Sequence, residues 1–372
     1  MRVKYIKSTF QLGVSIAGIL MVIACLNVFF DHFGVFKSSF DDYQKQKLWP
    51  NERFSKMNYI LANKSKYDSF ILGSSHVIVI NPQRIPDGKW YSLNAPTLNL
   101  YEYNRELNLL LKNDVKIKSI LLVLGNQSFR VYRTSFFEHC SNVFIGFLAY
   151  PQNIIEYVYF YAKYLTFFPF IDESKYDKWD DGARSLEFVT GTSSSNKSEL
   201  KLEKPKTFKT PVVSKDEYNP NTLSQIENLV KTCKSNNIKL TVMIVPEYYL
   251  NYEANDIKTY NLYKKRLASI TPYYDFSGKN EITTDSRYFN NISHFNAYAG
   301  AFIIDRIFKE DKNSPPKIKN FGNYISQENA DQHIANLCKG TPGVEDCSLT
   351  TGNVINIFAQ KNNDIIQTRK EK

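Results

Sequence analysis

The pattern of apolar and polar positions divides the chain into unlike segments. From position 8 to position 30 no side chain is charged, and FQLGVSIAGILMVIACLNVFF (10–30) is apolar almost throughout. At about 1.5 Å of rise per residue such a run crosses a hydrocarbon layer of about 30 Å, so it predicts one membrane-spanning helix. Residues 31–66 are polar and aromatic, rich in Lys and Asp, and read as a juxtamembrane stalk leading into a helix with Phe54, Met57, Ile60 and Leu61. Beyond them, continuous apolar runs at 69–73 (SFILG), 90–93 (WYSL), 119–125 (SILLVLG) and 240–246 (LTVMIVP) are strand candidates. Apolar runs without in/out alternation belong to strands buried on both faces. With helical stretches at 101–112 and 222–235, the order predicts an α/β domain over 67–310, a mostly parallel sheet with helices on both sides.

Between about 130 and 213 this pattern breaks. Residues 143–170 are crowded with aromatics and 191–207 are Ser/Lys-rich, which reads as an insertion: a lid or membrane-facing surface, or a helical subdomain with its own core. Residues 311–372 are Asn/Lys-rich with little periodicity and read as a polar C-terminal tail.

Charge gives the first helix a direction. Arg2, Lys4 and Lys7 precede it and Asp31, Asp41 and Asp42 follow, so the positive-inside bias keeps the N-terminus in the cytoplasm and exports the rest. The run 22–25 (VIAC) also resembles a lipoprotein box that would lipidate Cys25. The apolar side chains of Leu26, Val28, Phe29 and Phe30 continue past it, as in an uncleaved anchor. Cys338 and Cys347 bracket CKGTPGVEDC, a loop for a disulfide in an oxidising compartment or else two free thiols. Cys233 continues the helical spacing of Leu223, Ile226 and Leu229 and reads as a core residue. No CxxC or HxxxH spacing points to a metal, and no cofactor motif is present. With no second long apolar run, a polytopic membrane protein is excluded. Lys+Arg 47 against Asp+Glu 37 gives +10, but the Lys residues are spread among acids, which is a solvated surface and no nucleic-acid stripe.

Ligands of a parallel sheet bind at the carboxyl ends of its strands. The first run ends in Gly73-Ser74-Ser75-His76, where a serine beside a turn-forming glycine is placed as a nucleophile. Its base must be a histidine. His32 lies in the stalk, His139 in the insertion, His333 in the tail, and His76 is adjacent to Ser75, where neighbouring side chains diverge. His294 remains, in YFNNISHFN (288–296), directly before a helix at 297–308.

These residues resemble the sequence blocks of SGNH (GDSL-type) hydrolases over roughly 50–310, specifically the membrane-anchored, exported branch related to bacterial cell-surface acyl-transfer proteins. The resemblance implies that Ser75 is the nucleophile and that its N–H is one oxyanion donor. In the second block, SLNAPT (92–97), Thr97 stands where the family has glycine; in the third, Gly125-Asn126-Gln127, Asn126 supplies the side-chain donor, with Gln127 second. The fourth block, normally Asp-x-x-His, aligns with Asn291-Ile292-Ser293-His294, so an amide replaces the acid. That substitution leaves three outcomes: a working Ser75–His294 pair, rescue by Asp285 or Asp275, or a non-catalytic domain. The first two imply an exported serine esterase or O-acyltransferase acting on acyl, most simply acetyl, esters of a cell-envelope glycan. The third implies a module that binds glycan or scaffolds a membrane-bound acyltransferase.

Overall fold

The computed structural model describes residues 2–30, 52–95, 99–130, 179–180, 183–184, 204–211, 218–219 and 221–339. Six strands form one sheet: β1 (Ser69–Leu72), β2 (Trp90–Ser92), β3 (Ser119–Leu124), β4 (Lys239–Ile244), β5 (Tyr273–Asp275) and β6 (Asn323–Ile325), in the order β2-β1-β3-β4-β5-β6. The first five run parallel, and β6 pairs antiparallel with β5. The helices are α1 (Arg2–Phe30), α2 (Glu52–Ala62), α3 (Leu100–Lys112), α4 (Thr222–Ser235), α5 (Tyr249–Glu253), α6 (Ile257–Ile270), α7 (Ala297–Phe308) and α8 (Ala330–Cys338).

The fold is α/β, and the alternation of strand side chains explains its layers. Phe70, Leu72, Leu122, Leu124 and Ile244 point into a core completed by Leu107 of α3, Leu229 of α4 and Leu267 of α6. Ile71, Leu121, Val123 and Met243 point the other way, onto Ile303 and Ile304 of α7. Each strand run is apolar throughout because both faces are covered. Capping fixes where helices begin: Asn99 accepts the Glu102 N–H at 3.1 Å while Glu102 accepts the Asn99 N–H at 3.1 Å, a closed capping box that starts α3.

The domain is wider than the sequence pattern indicates. Helix α2, expected in the stalk, buries Met57, Tyr59 and Ile60 in the first core, and Lys56 Nζ reaches the Asn94 carbonyl at 2.5 Å. The expected tail is also partly structural: β6 extends the sheet, and α8 buries Ala330, Ile334 and Cys338. Both were obscured by their polar surroundings and short lengths. The aromatic insertion falls almost wholly outside the described residues, apart from a small antiparallel ribbon pairing Trp179–Asp180 with Ala183–Arg184 and the segment 204–211.

Within α1, the described side chains are 9–23 and Cys25, and Phe10, Leu12, Val14, Ile16 and Ile19 among them are exposed. Among the described residues no helix is long and apolar enough to cross a membrane. Cys338 is disulfide-bonded, while Cys25 and Cys233 are free. Cys140 and Cys347 lie outside the described residues.

The strand order reverses direction at β1. From there the chain steps outward to β2 and then returns across β1 to β3, which opens a crevice beyond the carboxyl ends of these two strands.

Candidate active site

Three loops meet at that crevice. The first follows β1, where the chain turns through a short 3-10 segment, Ser75–Val77, whose Val77 is fully buried. A Cβ at Gly73 would lie 2.6 Å from Val77 Cγ2 and 3.2 Å from Val123 Cβ, so the turn closes this tightly only over a glycine. Ser75 stands at the start of the turn, and no acceptor among the described residues takes its N–H. An unoccupied amide at the first position of a helical turn is available to an oxyanion.

The second loop carries His294. It is a tight excursion closed by an antiparallel bridge between Phe289 and Phe295, both fully buried, and by the Asn290 N–H donating to the His294 carbonyl at 2.8 Å. Asn296 then caps α7, accepting the N–H groups of Tyr298 at 3.1 Å and Ala299 at 3.2 Å. Its own amide donates to the Arg287 carbonyl at 2.8 Å, tying helix start to loop base. Lys206 braces the same loop, with Nζ donating to the Phe289 carbonyl at 2.9 Å.

The geometry brings Ser75 Oγ to 3.0 Å from His294 Nε2, across 219 residues of sequence. On the other side of the ring, Nδ1 lies 3.0 Å from Asn291 Oδ1 and 2.9 Å from Ser293 Oγ. The orientation of the Asn291 amide is fixed by its neighbours. Its Oδ1 accepts the N–H of Ser293 at 3.0 Å, the N–H of His294 at 3.0 Å and the Ser293 hydroxyl at 3.1 Å. A flipped amide would set its NH2 against two backbone donors. With an oxygen facing Nδ1, that nitrogen carries the proton, and the Nε2 lone pair is left for the Ser75 hydroxyl. Asn291 therefore supplies the orientation that an acid would give, without its charge.

The third loop follows β3. Asn126 is buried on a 3-10 turn, with its Oδ1 2.9 Å from the Tyr218 hydroxyl, whose one hydrogen is shared with the Asp256 carbonyl at 3.2 Å. This leaves Nδ2 as its outward donor, with no partner among the described residues. The Asn126 N–H in turn bonds to the carboxylate of Glu247, which also accepts from Asn251 Nδ2 at 2.8 Å. Burial pushes the Glu247 carboxyl up, only partly offset by those hydrogen bonds. The Thr97 position lies outside the described residues.

Neither Asp275 nor Asp285 joins His294. Asp275 is fully buried, with Oδ1 accepting from the N–H of Ser277 at 2.9 Å and from its hydroxyl at 2.6 Å. Its Oδ2 faces Lys264 Nζ at 3.2 Å and His333 Nε2 at 2.8 Å. Burial alone would raise this carboxyl, but the Lys264 charge, His333 and Ser277 together hold it well below the usual carboxylate range. Asp285 caps the turn Ser286–Tyr288 and pairs with Arg287 at 2.5 Å, which lowers its carboxyl. The alternative-acid expectation fails because each carboxylate is already committed elsewhere.

His76 is the residue that sequence reasoning set aside. It packs flat against His294, the ring centroids 4.7 Å apart and the planes 8° from parallel. Tyr218 carried no local signal either, since its partner Asn126 is far away in sequence, and Glu247 drew notice only because Pro246-Glu247 after the fourth strand resembles the family's turn there. Among the described residues no group of three or more His, Cys, Asp and Glu is arranged to hold a metal ion. In comparisons with models of known protein families and with curated proteins, the sequence matches none.

Proposed function

We propose that the chain is an exported, membrane-anchored serine esterase or O-acyltransferase of SGNH type, acting on acyl esters of a cell-envelope glycan through Ser75, His294 and Asn291. The observation that carries this reading is the Ser75 Oγ to His294 Nε2 bond of 3.0 Å, made by an imidazole whose tautomer Asn291 Oδ1 fixes from the other side.

Ser75 Oγ attacks the ester carbonyl carbon and its proton passes to His294 Nε2. The carbonyl electron pair moves to oxygen, where the Ser75 N–H and Asn126 Nδ2 are placed to receive it. When the tetrahedral intermediate collapses, the ester C–O bond breaks and His294 returns the proton to the departing alkoxide. Water then releases the acyl group from Ser75 as a carboxylic acid, or a sugar hydroxyl takes it as a new ester. The proton again passes through His294 in both cases.

Three observations support the location. The uncharged stretch 8–30 falls wholly within the helix α1, of which the described side chains, 9–23 and Cys25, are fewer than the roughly 20 a span needs but carry no charge. Its described apolar side chains lie exposed, as a lipid-facing helix requires. The disulfide at Cys338 belongs to an oxidising compartment. An exported, anchored acyl-transfer site has the envelope glycans and their acyl esters within reach.

The test is the ester content of the envelope glycan in cells carrying Ser75→Ala at matched protein level. A changed acyl content supports the enzyme. Unchanged content assigns the chain to the scaffold or glycan-binding alternative.

A further inference from the structure

His76 takes no part in the proton relay described above, yet two contacts fix its ring inside the site. Its Nδ1 bonds Ser74 Oγ at 2.8 Å. One face lies on His294. Its edge lies near the third loop: a Cβ placed on Gly125 would stand 4.0 Å from His76 Cε1. The remaining nitrogen, Nε2, is fully buried and has no partner among the described residues. A buried unsatisfied nitrogen destabilises a fold, and a leucine of similar size would avoid that cost. What leucine lacks is a flat aromatic face.

We propose that His76 is a positioning residue for the catalytic base: its ring is the platform on which His294 stacks, holding the imidazole plane so that Nε2 faces Ser75 and meeting the imidazolium face-on once the serine proton has moved. This rests on the Ser75–His294 reading. A neutral aromatic face attracts a stacked cation, whereas a second charged ring would repel it. Burial, reinforced by the charge on His294, holds the His76 imidazole down to about 3, so it stays neutral over the pH range of ester chemistry. His294 is the one titratable group acting on it among the described residues.

The test uses the full-length chain in detergent with His76→Phe, His76→Leu and Ser74→Ala. The readouts are the second-order rate of fluorophosphonate reaction at Ser75 and the 15N shifts of His294 in histidine-labelled protein. His76→Phe keeps the platform and reacts within about threefold of wild type, while His76→Leu keeps the volume and reacts at least about tenfold more slowly, as expected of a misoriented base. The shifts report a single Nδ1–H tautomer in wild type and His76→Phe and a mixture in His76→Leu. Equal rates in wild type and His76→Leu, or a Phe variant as slow as the Leu variant, would overturn the platform. So would one tautomer in all three. Should the His76 variants not fold, Ser74→Ala loosens the ring alone: slower reaction supports the proposal, and an unchanged rate and tautomer contradict it. If wild type does not react at all, the acyl-transfer reading fails, and the 15N shifts still decide the platform.

Discussion

Two of the described histidines, His333 and His294, each face the side-chain oxygen of an Asp or Asn, and their surroundings are opposite. His333 meets a buried, ionised Asp275 beside the buried Lys264, with no nucleophile but the enclosed Ser277. His294 meets the neutral amide of Asn291, at a partly open site, with Ser75 on its far side. The more strongly charged cluster is the one with no access to substrate. It ties α8 to the sheet end through His333, while the Lys264 and Asp275 charges neutralise one another. The weaker, neutral arrangement sits at the strand ends, where a base needs an accessible lone pair more than it needs a strong partner. Charge density alone would direct attention to the wrong histidine.

The largest effect expected from breaking this comparison is on stability. Asp275→Asn leaves Lys264 buried beside a neutral amide and should cost about 3–5 kcal/mol in denaturant unfolding. The fraction that remains folded should still react at Ser75 at the wild-type rate; loss of reaction in folded Asp275→Asn would join the two clusters functionally. The pH dependence has a definite sign. A carboxyl held below its unfolded value contributes stability that is fully present above about pH 4, and it is lost as pH falls further. Melting temperature should therefore fall in wild type between about pH 4 and the acid limit, and the Asp275 contribution to that slope should vanish in the variant.

A smaller effect sharpens the other half. Asn291→Asp retains the acceptor and adds the missing charge, so reaction at Ser75 should rise several-fold, up to about tenfold. Its acid limb should move to higher pH, because a carboxylate raises the pKa of His294 and the base form is lost sooner on acidification. Asn291→Ala removes the acceptor and should slow reaction by about 10–100-fold. An alanine variant as fast as wild type would show that the amide does not orient the ring.

Much of this was legible in the sequence, for physical reasons that differ by element. Strands β1 to β4 announce themselves because both faces are buried, and helix α4 because Leu223, Ile226, Leu229 and Cys233 repeat at helical spacing. Ser75 follows from its place at the end of an apolar run, and His294 from the elimination of the other four histidines. The amide at Asn291 looked like a defect, since sequence does not reveal that the N–H groups of Ser293 and His294 turn its oxygen toward the ring. His76 was dismissed on the divergence of adjacent side chains. That divergence is what carries it past Ser75 and under His294, once the chain enters a 3-10 turn. The edge strand β6 escaped notice because three half-polar residues have no readable period. Helix α8 did carry a signal in Ala330, Ile334 and Cys338, four residues apart on one face.

The most direct test of the account is fluorophosphonate labelling of the folded full-length protein, with the modified residue located by peptide mass spectrometry in wild type and His294→Ala. The account predicts a single adduct on Ser75, formed about 100-fold or more faster in wild type than in the alanine variant. Folded protein that gives no adduct, or an adduct on Ser75 whose rate is indifferent to His294, would contradict it.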